Sequence, residues 1–284
     1  MKFRTEIEAV KSTYRIRHGE PVLMLGSCFT DNIGARLDID GFDVCHNPLG
    51  PLYNPVSIAA CIGRALKKYR YSGADLTEGP NGYHCLDYAS RYSGSDPEAI
   101  VSHVNDDFSA VAERLGRPGA NTLIITFGSA FVFERHGEVV GNCHKFPASE
   151  FCRRLLSVSE ITELWTSLIA SLPDNIHIIF TVSPIRHLAD GLHGNTISKS
   201  TLLLAVEQIC RSHAGRAEYF PSYEIMVDDL RDYRFYAADM KHPSDVAADY
   251  IYDFFLNTYT TVQTQESAAE NRRRYRAGQH RQIL

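Results

Sequence analysis

The stretch that decides the fold reads PVLMLGSCFTDNIG at residues 21–34. Its first half is continuously apolar, as in a strand that is buried on both faces of a parallel sheet. The chain then passes through Gly26, Ser27 and Cys28 directly into a helical pattern. A side chain at such a junction lies at the carboxyl end of a strand, where open α/β sheets bind their ligands. The stretch therefore predicts a buried first strand with a candidate site directly after it.

Two other continuously apolar runs, at residues 121–128 and 175–182, predict further buried strands, and residues 41–45 and 217–220 are weaker candidates. Helical patterns lie between these runs. The alternation indicates an α/β protein with three layers, α/β/α, a parallel sheet and right-handed crossovers. Residues 131–140 are typical of a small β-hairpin.

The domain organisation follows from the lengths between strands. We assign residues 1–261 to a single α/β domain. Residues 53–119 are too long for a simple crossover, and we interpret them as a mostly helical insertion that caps the carboxyl edge of the sheet. Residues 262–284 form a basic C-terminal tail with five arginines and two glutamates. Its low hydrophobicity predicts a solvated, partly disordered segment, and an interaction tail is the alternative.

Composition argues against several classes of partner. The 284 residues carry a formal net charge of −5, which gives no electrostatic reason to expect nucleic acid. No apolar run approaches the roughly 18 residues that a membrane span needs, and the N-terminus lacks the apolar core of a secretory signal. We therefore expect a cytoplasmic protein with neither a nucleic-acid nor a membrane partner. Its oligomeric state stays open.

Motifs for cofactors and metals are missing from the sequence. The seven cysteines include no C-x-x-C pair, and the histidines lack metal-ligand spacing. The sequence also contains no G-x-G-x-x-G, P-loop, H-E-x-x-H or G-x-S-x-G motif. We therefore predict no cofactor and no metal.

The residue types at the first junction suit nucleophilic chemistry. A helix N-terminus beside Cys28 lowers the pKa of a thiol and stabilises an oxyanion. The alternative is that Ser27 and Thr30 only cap the helix and its turn.

A second candidate site lies near the C-terminus, where the sequence reads Asp239-Met-Lys-His242-Pro243. A carboxylate three residues before a loop histidine can orient the imidazole ring, as the base and its orienting partner do in a catalytic triad. The same spacing occurs at Asp190 and His193, so the spacing alone is not specific. The pair at Asp239 and His242 differs in that Pro243 follows it and opens the last helical pattern of the α/β domain.

Taken together, these stretches resemble the bacterial GSCFA-domain family of the SGNH/GDSL hydrolase superfamily. The resemblance rests on residues 26–34, 47–55, 142–145, 183–186 and 239–244. It implies an SGNH-hydrolase (flavodoxin-like) three-layer fold and ester-hydrolase or acyltransferase chemistry. By analogy with the superfamily, the substrate is a small-molecule ester, with an acylated carbohydrate as a candidate.

The resemblance also implies catalytic roles. His242 matches the general base of the superfamily, and Asp239 matches its orienting carboxylate. An alignment without gaps puts Cys28 in the position of the nucleophilic serine, whereas a shift by one residue puts Ser27 there. We favour Cys28, with Ser27 as the nucleophile and a buried, inert Cys28 as alternatives.

The oxyanion donors are less clearly matched. Gly50 corresponds best to the glycine that follows the second strand of the superfamily. The asparagine expected after the third strand is missing, since residues 128–131 read Gly-Ser-Ala-Phe. Asn142 could fold back to replace it. The missing asparagine also allows a catalytically degenerate binding protein that keeps the cleft without the chemistry.

Four more residues are predicted to contact the substrate, and these are His144, Lys145, Arg186 and His193. His144 and Lys145 are candidates for an anionic group. Arg186, beyond the strand at residues 175–182, could bind a carboxylate or phosphate. The alternatives are ordinary loop residues and, for Arg186, a structural ion pair.

Overall fold

The computed structural model describes residues 4–9 and 11–281. The strands are β1 (Val22–Gly26), β2 (Val44–His46), β3 (Thr77–Gly79), β4 (Gly82–His84), β5 (Ser93–Gly94), β6 (Asn121–Phe127), β7 (Phe131–Arg135), β8 (Glu138–Val140), β9 (Cys152–Leu155), β10 (Ile176–Val182) and β11 (Ala217–Phe220). The helices are α1 (Cys28–Ile39), α2 (Pro55–Leu66), α3 (Pro97–Leu115), α4 (Val158–Ser171), α5 (Gly191–Ser212), α6 (Ser222–Glu224), α7 (Asp245–Tyr259) and α8 (Val262–Arg281). A π-helical segment, Ile225–Leu230, continues α6.

The central sheet has five strands in the order β11-β10-β6-β1-β2, and every neighbouring pair is parallel. The three predicted strands are confirmed as β1, β6 and β10. The two weaker candidates are confirmed as the edge strands β2 and β11.

The core lies in two layers, one on each face of this sheet. In β1, Leu23 and Leu25 pack with the helices α2, α3, α4 and α5, whereas Val22 and Met24 pack with α1 and α7. Successive residues of a strand point to opposite faces, so a strand buried on both faces must be apolar at every position. The predicted three-layer α/β/α fold with a parallel sheet is confirmed.

The turn between β1 and α1 requires close contact with the neighbouring strand. Gly26 has φ +151°, and a Cβ atom there would lie 2.2 Å from the carbonyl oxygen of Thr126. The buried Asn47 side chain holds the same turn, because its Oδ1 accepts from Gly26 N at 2.9 Å and its Nδ2 donates to Ser27 O at 3.3 Å. The residues around Cys28 are therefore fixed from two sides.

The segment at 53–119 differs from the expected helical cap. Its two helices, α2 and α3, pack on the face of the central sheet, where their apolar residues belong to the main core. Between them β3, β4 and β5 form a small antiparallel sheet. Tyr53, which precedes α2, and the loop after β4 reach the carboxyl edge, where Tyr53 O accepts from Gly128 N and Leu86 O from Gly141 N, both at 2.8 Å. The apolar stripes of α2 and α3 explain why they cover the sheet rather than its edge.

The predicted hairpin is confirmed as β7 and β8, and β9 adds a third antiparallel strand. The C-terminal segment, by contrast, is helical over Val262–Arg281, so the prediction of partial disorder is wrong there. Ala268 is fully buried against the core, and Arg272 forms an ion pair with the buried Asp40. In the part of the chain that the structure describes, no helix combines the length and apolarity needed to cross a bilayer.

Candidate active site

A cysteine, a histidine and an aspartate are aligned at the carboxyl edge of the sheet. Cys28 is the first residue of α1, and its Sγ lies 3.7 Å from Nε2 of His242. The other ring nitrogen of His242, Nδ1, lies 2.5 Å from Oδ2 of Asp239. The arrangement places a thiol, an imidazole and a carboxylate in a single hydrogen-bonded line.

The aspartate is held by its own loop. Its Oδ1 accepts hydrogen bonds from the backbone N–H of His242 at 3.0 Å and of Lys241 at 2.9 Å. These bonds, together with the bond to the His242 ring, keep the pKa of Asp239 well below its usual range. Asp239 is therefore ionised and accepts the Nδ1–H of His242, which leaves Nε2 facing the thiol as a proton acceptor.

Ser27 has a structural position instead. Its side chain is fully buried and caps α1, accepting a hydrogen bond from Phe29 N at 3.4 Å. It has no contact with His242. The geometry favours Cys28 over Ser27 as the residue that faces the histidine.

The thiol differs from the sequence-based expectation in its acidity. Burial raises the pKa of Cys28, and the carboxylate of Asp31 adds to the increase. The nearby Tyr53 hydroxyl and the Lys199 ammonium act in the opposite direction but do not compensate. The backbone N–H at the start of α1 lowers this pKa, as expected for a helix N-terminus, but desolvation of the thiolate is the larger effect.

A cleft of about 500 Å³ opens over these residues. Much of its wall is apolar, and the apolar side chains are Phe131, Phe133, Val140, Ile185, Leu188 and Ala189. Arg153 also lines it; its guanidinium stacks 4.5 Å from the Phe133 ring centroid and forms a 2.5 Å ion pair with Asp190. The guanidinium charge of Arg153, which lies beside the Phe133 ring, is therefore neutralised by the carboxylate of Asp190.

The two predicted oxyanion donors have different positions. The Gly50 N–H donates to Asn47 O at 2.8 Å within a turn, and Gly50 does not line the cleft, so this geometry does not support the predicted role. Asn142 does line the cleft. Its Oδ1 accepts from His144 N at 2.8 Å, and its amide NH₂ group has no partner among the residues that the structure describes.

Three of the four predicted substrate contacts lie outside the cleft. His144 is buried between Ser93 Oγ, at 2.7 Å, and Tyr88 O, at 3.0 Å. Lys145 lines a separate polar hollow. His193 is exposed on α5. Local hydrogen bonds therefore hold His144, and none of the three side chains lines the cleft above Cys28.

Arg186 lines the cleft but is already engaged. It donates to Met240 O at 3.1 Å, and its backbone N–H donates to Lys241 O at the same distance. Its guanidinium also lies over the rings of Tyr233 and Tyr236. Arg186 thus supports the loop that carries His242, a role that the sequence analysis missed.

Tyr53 and His187 are further cleft residues that the sequence analysis did not single out. Their rings meet edge to face, 5.8 Å apart. Burial and the neighbouring thiol raise the pKa of Tyr53 to about 12, so its hydroxyl stays a donor. Burial lowers the pKa of His187 to about 4, which keeps it neutral, and its Nε2 is buried without a partner in the described structure. Both residues follow strand ends in chain order, which is the signal that could have identified them.

No group of three or more His, Cys, Asp or Glu side chains is placed to hold a metal ion within residues 4–9 and 11–281.

Comparison with known proteins gives a family. The model of the GSCFA family matches residues 21–255, which include the whole central sheet and all three aligned residues. No curated protein shows significant sequence similarity to the chain. A crystal structure of a Corynascus thermopiles (Myceliophthora fergusii) carbohydrate esterase family 2 enzyme with its carbohydrate-binding domain is similar at 12% identity and a TM-score of 0.43, over 92% of this chain and 68% of that one.

Proposed function

The chain belongs to the GSCFA family, and from its site geometry we propose that it is a cysteine-dependent ester hydrolase or acyltransferase. The observation that carries the proposal is the line from Cys28 Sγ through His242 to Asp239, with separations of 3.7 and 2.5 Å. A nucleophile, a base and an orienting carboxylate in this order are the requirements of acyl transfer.

The first half of the reaction forms an acyl-enzyme. Because the pKa of Cys28 is raised, its thiol needs His242 to accept the proton at Nε2 as Sγ attacks the ester carbonyl carbon. The carbonyl electron pair moves to oxygen, which the Cys28 N–H at the start of α1 and the Asn142 amide can stabilise. When the carbonyl re-forms, the alkoxide leaves and takes the proton from His242, and a thioester remains on Cys28.

The second half regenerates the thiol. Water or an acceptor alcohol gives its proton to His242 and attacks the thioester carbonyl. Collapse of this intermediate breaks the carbon–sulfur bond, and the sulfur recovers its proton from His242. Water as the acceptor gives hydrolysis, and an alcohol gives acyl transfer to a new ester.

The substrate class is a small ester with an apolar acyl group. The cleft of about 500 Å³ has walls formed largely by apolar side chains, which bury acyl carbons more favourably than charged groups. An acylated carbohydrate fits the proposal if its acyl group enters this cleft and its sugar stays at the opening.

Intact-protein mass spectrometry with a panel of p-nitrophenyl esters tests the proposal. We expect wild-type protein to release nitrophenol and gain one acyl mass, and Cys28→Ala to do neither. Cys152→Ala is the matched control, since Cys152 is exposed and outside the cleft. Binding of esters without any acylation or turnover would instead identify a non-catalytic binding protein.

A further inference from the structure

A polar hollow of about 490 Å³ lies beside the active-site cleft. Its wall comes from three loops, which are the turn between β3 and β4 with Asn81, the loop before β5 with Ser90, and the segment after β8 with Asn142 and Lys145. Asn142 also lines the cleft. The two cavities therefore meet at this side chain.

The hollow and the cleft differ in chemistry. The cleft is walled largely by apolar side chains, whereas hydroxyl, amide, imidazole and ammonium groups line most of the hollow. In the described part of the chain, no carboxylate lines the hollow. An ester has an acyl portion and an alcohol portion, and this contrast matches the cleft to acyl carbons and the hollow to a polar alcohol.

His84, which lines the hollow, has a ring nitrogen without a partner. The residue is 5% exposed, and its Nε2 lies 2.8 Å from Pro80 O. Because a carbonyl oxygen only accepts, Nε2 carries the hydrogen of the neutral ring and Nδ1 is an acceptor. This Nδ1 is buried without a hydrogen-bond partner in the described structure. An unpaired buried acceptor is costly, so a donor from a bound molecule would stabilise the site.

Aromatic rings hold His84 in a fixed position. The rings of His144 and Phe146 lie edge to face with it, at 5.4 and 5.1 Å. His144 is itself engaged at both ring nitrogens, by Ser93 Oγ at 2.7 Å and by Tyr88 O at 3.0 Å. Of these two neighbouring histidines, His84 is thus the one that can accept a hydrogen bond from a ligand.

Lys145 supplies a donor to the same hollow. Its side chain is exposed and has no ion-pair partner among the residues that the structure describes. A ligand hydroxyl both donates and accepts, so a molecule with several hydroxyl groups can pair with His84 Nδ1 and with the Lys145 ammonium. An anion can accept from Lys145 but leaves Nδ1 of the neutral His84 ring unpaired. The set of groups therefore favours hydroxyl groups over an anion.

We propose that this hollow binds the hydroxyl-bearing alcohol portion of the ester substrate, with His84 Nδ1 as an acceptor and Lys145 as a donor. The proposal rests on the proposed function, in which the Asn142 amide contacts the carbonyl oxygen of the ester. The alkoxy oxygen is bonded to the same carbonyl carbon, so the alcohol portion begins beside Asn142, where the cleft meets the hollow. Esters of a polyol or sugar are thereby preferred over esters of a simple alkanol.

Two butyrate esters with the same acyl group test this preference. The alcohol portion of ethyl butyrate has no free hydroxyl, whereas that of butyryl-glucose has several. Wild-type protein should have the higher kcat/KM for butyryl-glucose. Lys145→Met should lower the ratio of the two kcat/KM values by about threefold to tenfold, as expected for one lost hydrogen bond.

Two further variants complete the comparison. His84→Gln keeps a donor for Pro80 O but removes the acceptor at Nδ1, and it should lower the same ratio. Lys67→Met is the matched control, since Lys67 is an exposed lysine outside the hollow, and it should retain the wild-type ratio. A folded Lys145→Met protein with the wild-type ratio would overturn the proposal.

If neither ester is turned over, the proposed function fails, and NMR of ¹⁵N-histidine-labelled protein then tests the hollow by itself. Glucose should shift the Nδ1 signal of His84, which is assigned by through-bond correlation to its backbone, and sodium sulfate is the comparison. A shift with glucose would support a hydroxyl-binding site in a protein that is not an esterase. A shift with sulfate alone would indicate an anion site, and no shift with either would leave the hollow without a ligand; both results would overturn the inference.

Discussion

The Sγ atom of Cys28 lies 3.7 Å from Nε2 of His242, although 214 positions separate the two residues. The two side chains meet because two helices pack against each other. Cys28 begins α1, and His242 lies in the loop before α7. Arg36, in the last turn of α1, donates to Asp249 of α7 at 2.8 Å, which ties the two helices together. The start of α1 and the loop before α7 are thereby brought to the same edge of the sheet.

This relationship predicts different outcomes for the two adjacent candidates. Cys28→Ala should abolish acylation and ester turnover, because Cys28 is the thiol within hydrogen-bonding distance of His242 in the described structure. Ser27→Ala should retain the chemistry but lower the free energy of unfolding by about 1 kcal/mol, since it removes a helix cap. Ester kinetics and urea denaturation of both variants provide the measurements. Full turnover in Cys28→Ala would move the nucleophile elsewhere.

The two Asp-x-x-His sequences should also differ. His242→Ala should lower kcat/KM by at least about 10²-fold, which is the low end of general-base contributions. Asp239→Asn should lower kcat/KM less than His242→Ala does, because it alters the tautomer and the orientation of the His242 ring. His193→Ala is the matched control: its side chain is exposed and outside the cleft, so kcat/KM should stay within about twofold of the wild-type value. The reverse pattern in steady-state kinetics would exclude His242 as the base.

The sequence predicted the sheet well for a physical reason. Strands buried on both faces must be apolar at every position, and β1, β6 and β10 display this in their local sequence. The position of Cys28 and of His242 followed from strand and helix ends in the same way. Apolar strands and the ends of strands and helices depend on residues that are adjacent in the chain, so they can be predicted from a single sequence.

The differences between expectation and structure concern properties that depend on the packed structure. Gly50 resembled an oxyanion donor by its order in the chain, yet its N–H is taken by Asn47 O. The acidity of Cys28 was predicted from the helix N-terminus and a nearby imidazole, whereas burial is the largest contribution and raises the pKa of the thiol. The docking of α8 depends on Asp40, more than 200 positions earlier, which no local pattern reveals.

The raised pKa of Cys28 predicts a rising pH profile for alkylation in the wild-type protein. The thiolate is the reactive form, and burial together with Asp31 moves its pKa above the ordinary value of 9.0. The rate should therefore still increase as the pH passes 9 rather than level off near neutrality. Exposed Cys152 in the same sample provides an internal comparison. A plateau for Cys28 near pH 7, with Cys152 still titrating, would indicate a preformed thiolate and contradict the role of His242 as its base.

The C-terminal helix should contribute to stability through one buried ion pair. Asp40 is fully buried and accepts from Arg272 Nε at 2.9 Å and from the Tyr252 hydroxyl at 2.8 Å. Arg272→Ala leaves this carboxylate without its counter-ion, and we expect the free energy of unfolding to fall by about 3 kcal/mol. Arg274→Ala, two residues further along the same helix, removes only an exposed pair with Glu270 and should cost at most about 0.5 kcal/mol.

Urea denaturation at pH 7 measures the free energy of unfolding of Arg272→Ala and of Arg274→Ala. A double variant, Arg272→Ala with Asp40→Asn, separates the effect of the unpaired carboxylate from the loss of the other arginine contacts. Because the penalty in Arg272→Ala comes from an unpaired buried charge, replacing that carboxylate by an amide should recover part of the lost free energy in the double variant. Equal, small effects of Arg272→Ala and Arg274→Ala would show that α8 is not held by the Asp40 pair. In that case the buried Ala268 and the hydrogen bonds from Asn271 Nδ2 to Asp40 O and from Gln265 Nε2 to Leu256 O would account for its position on the core.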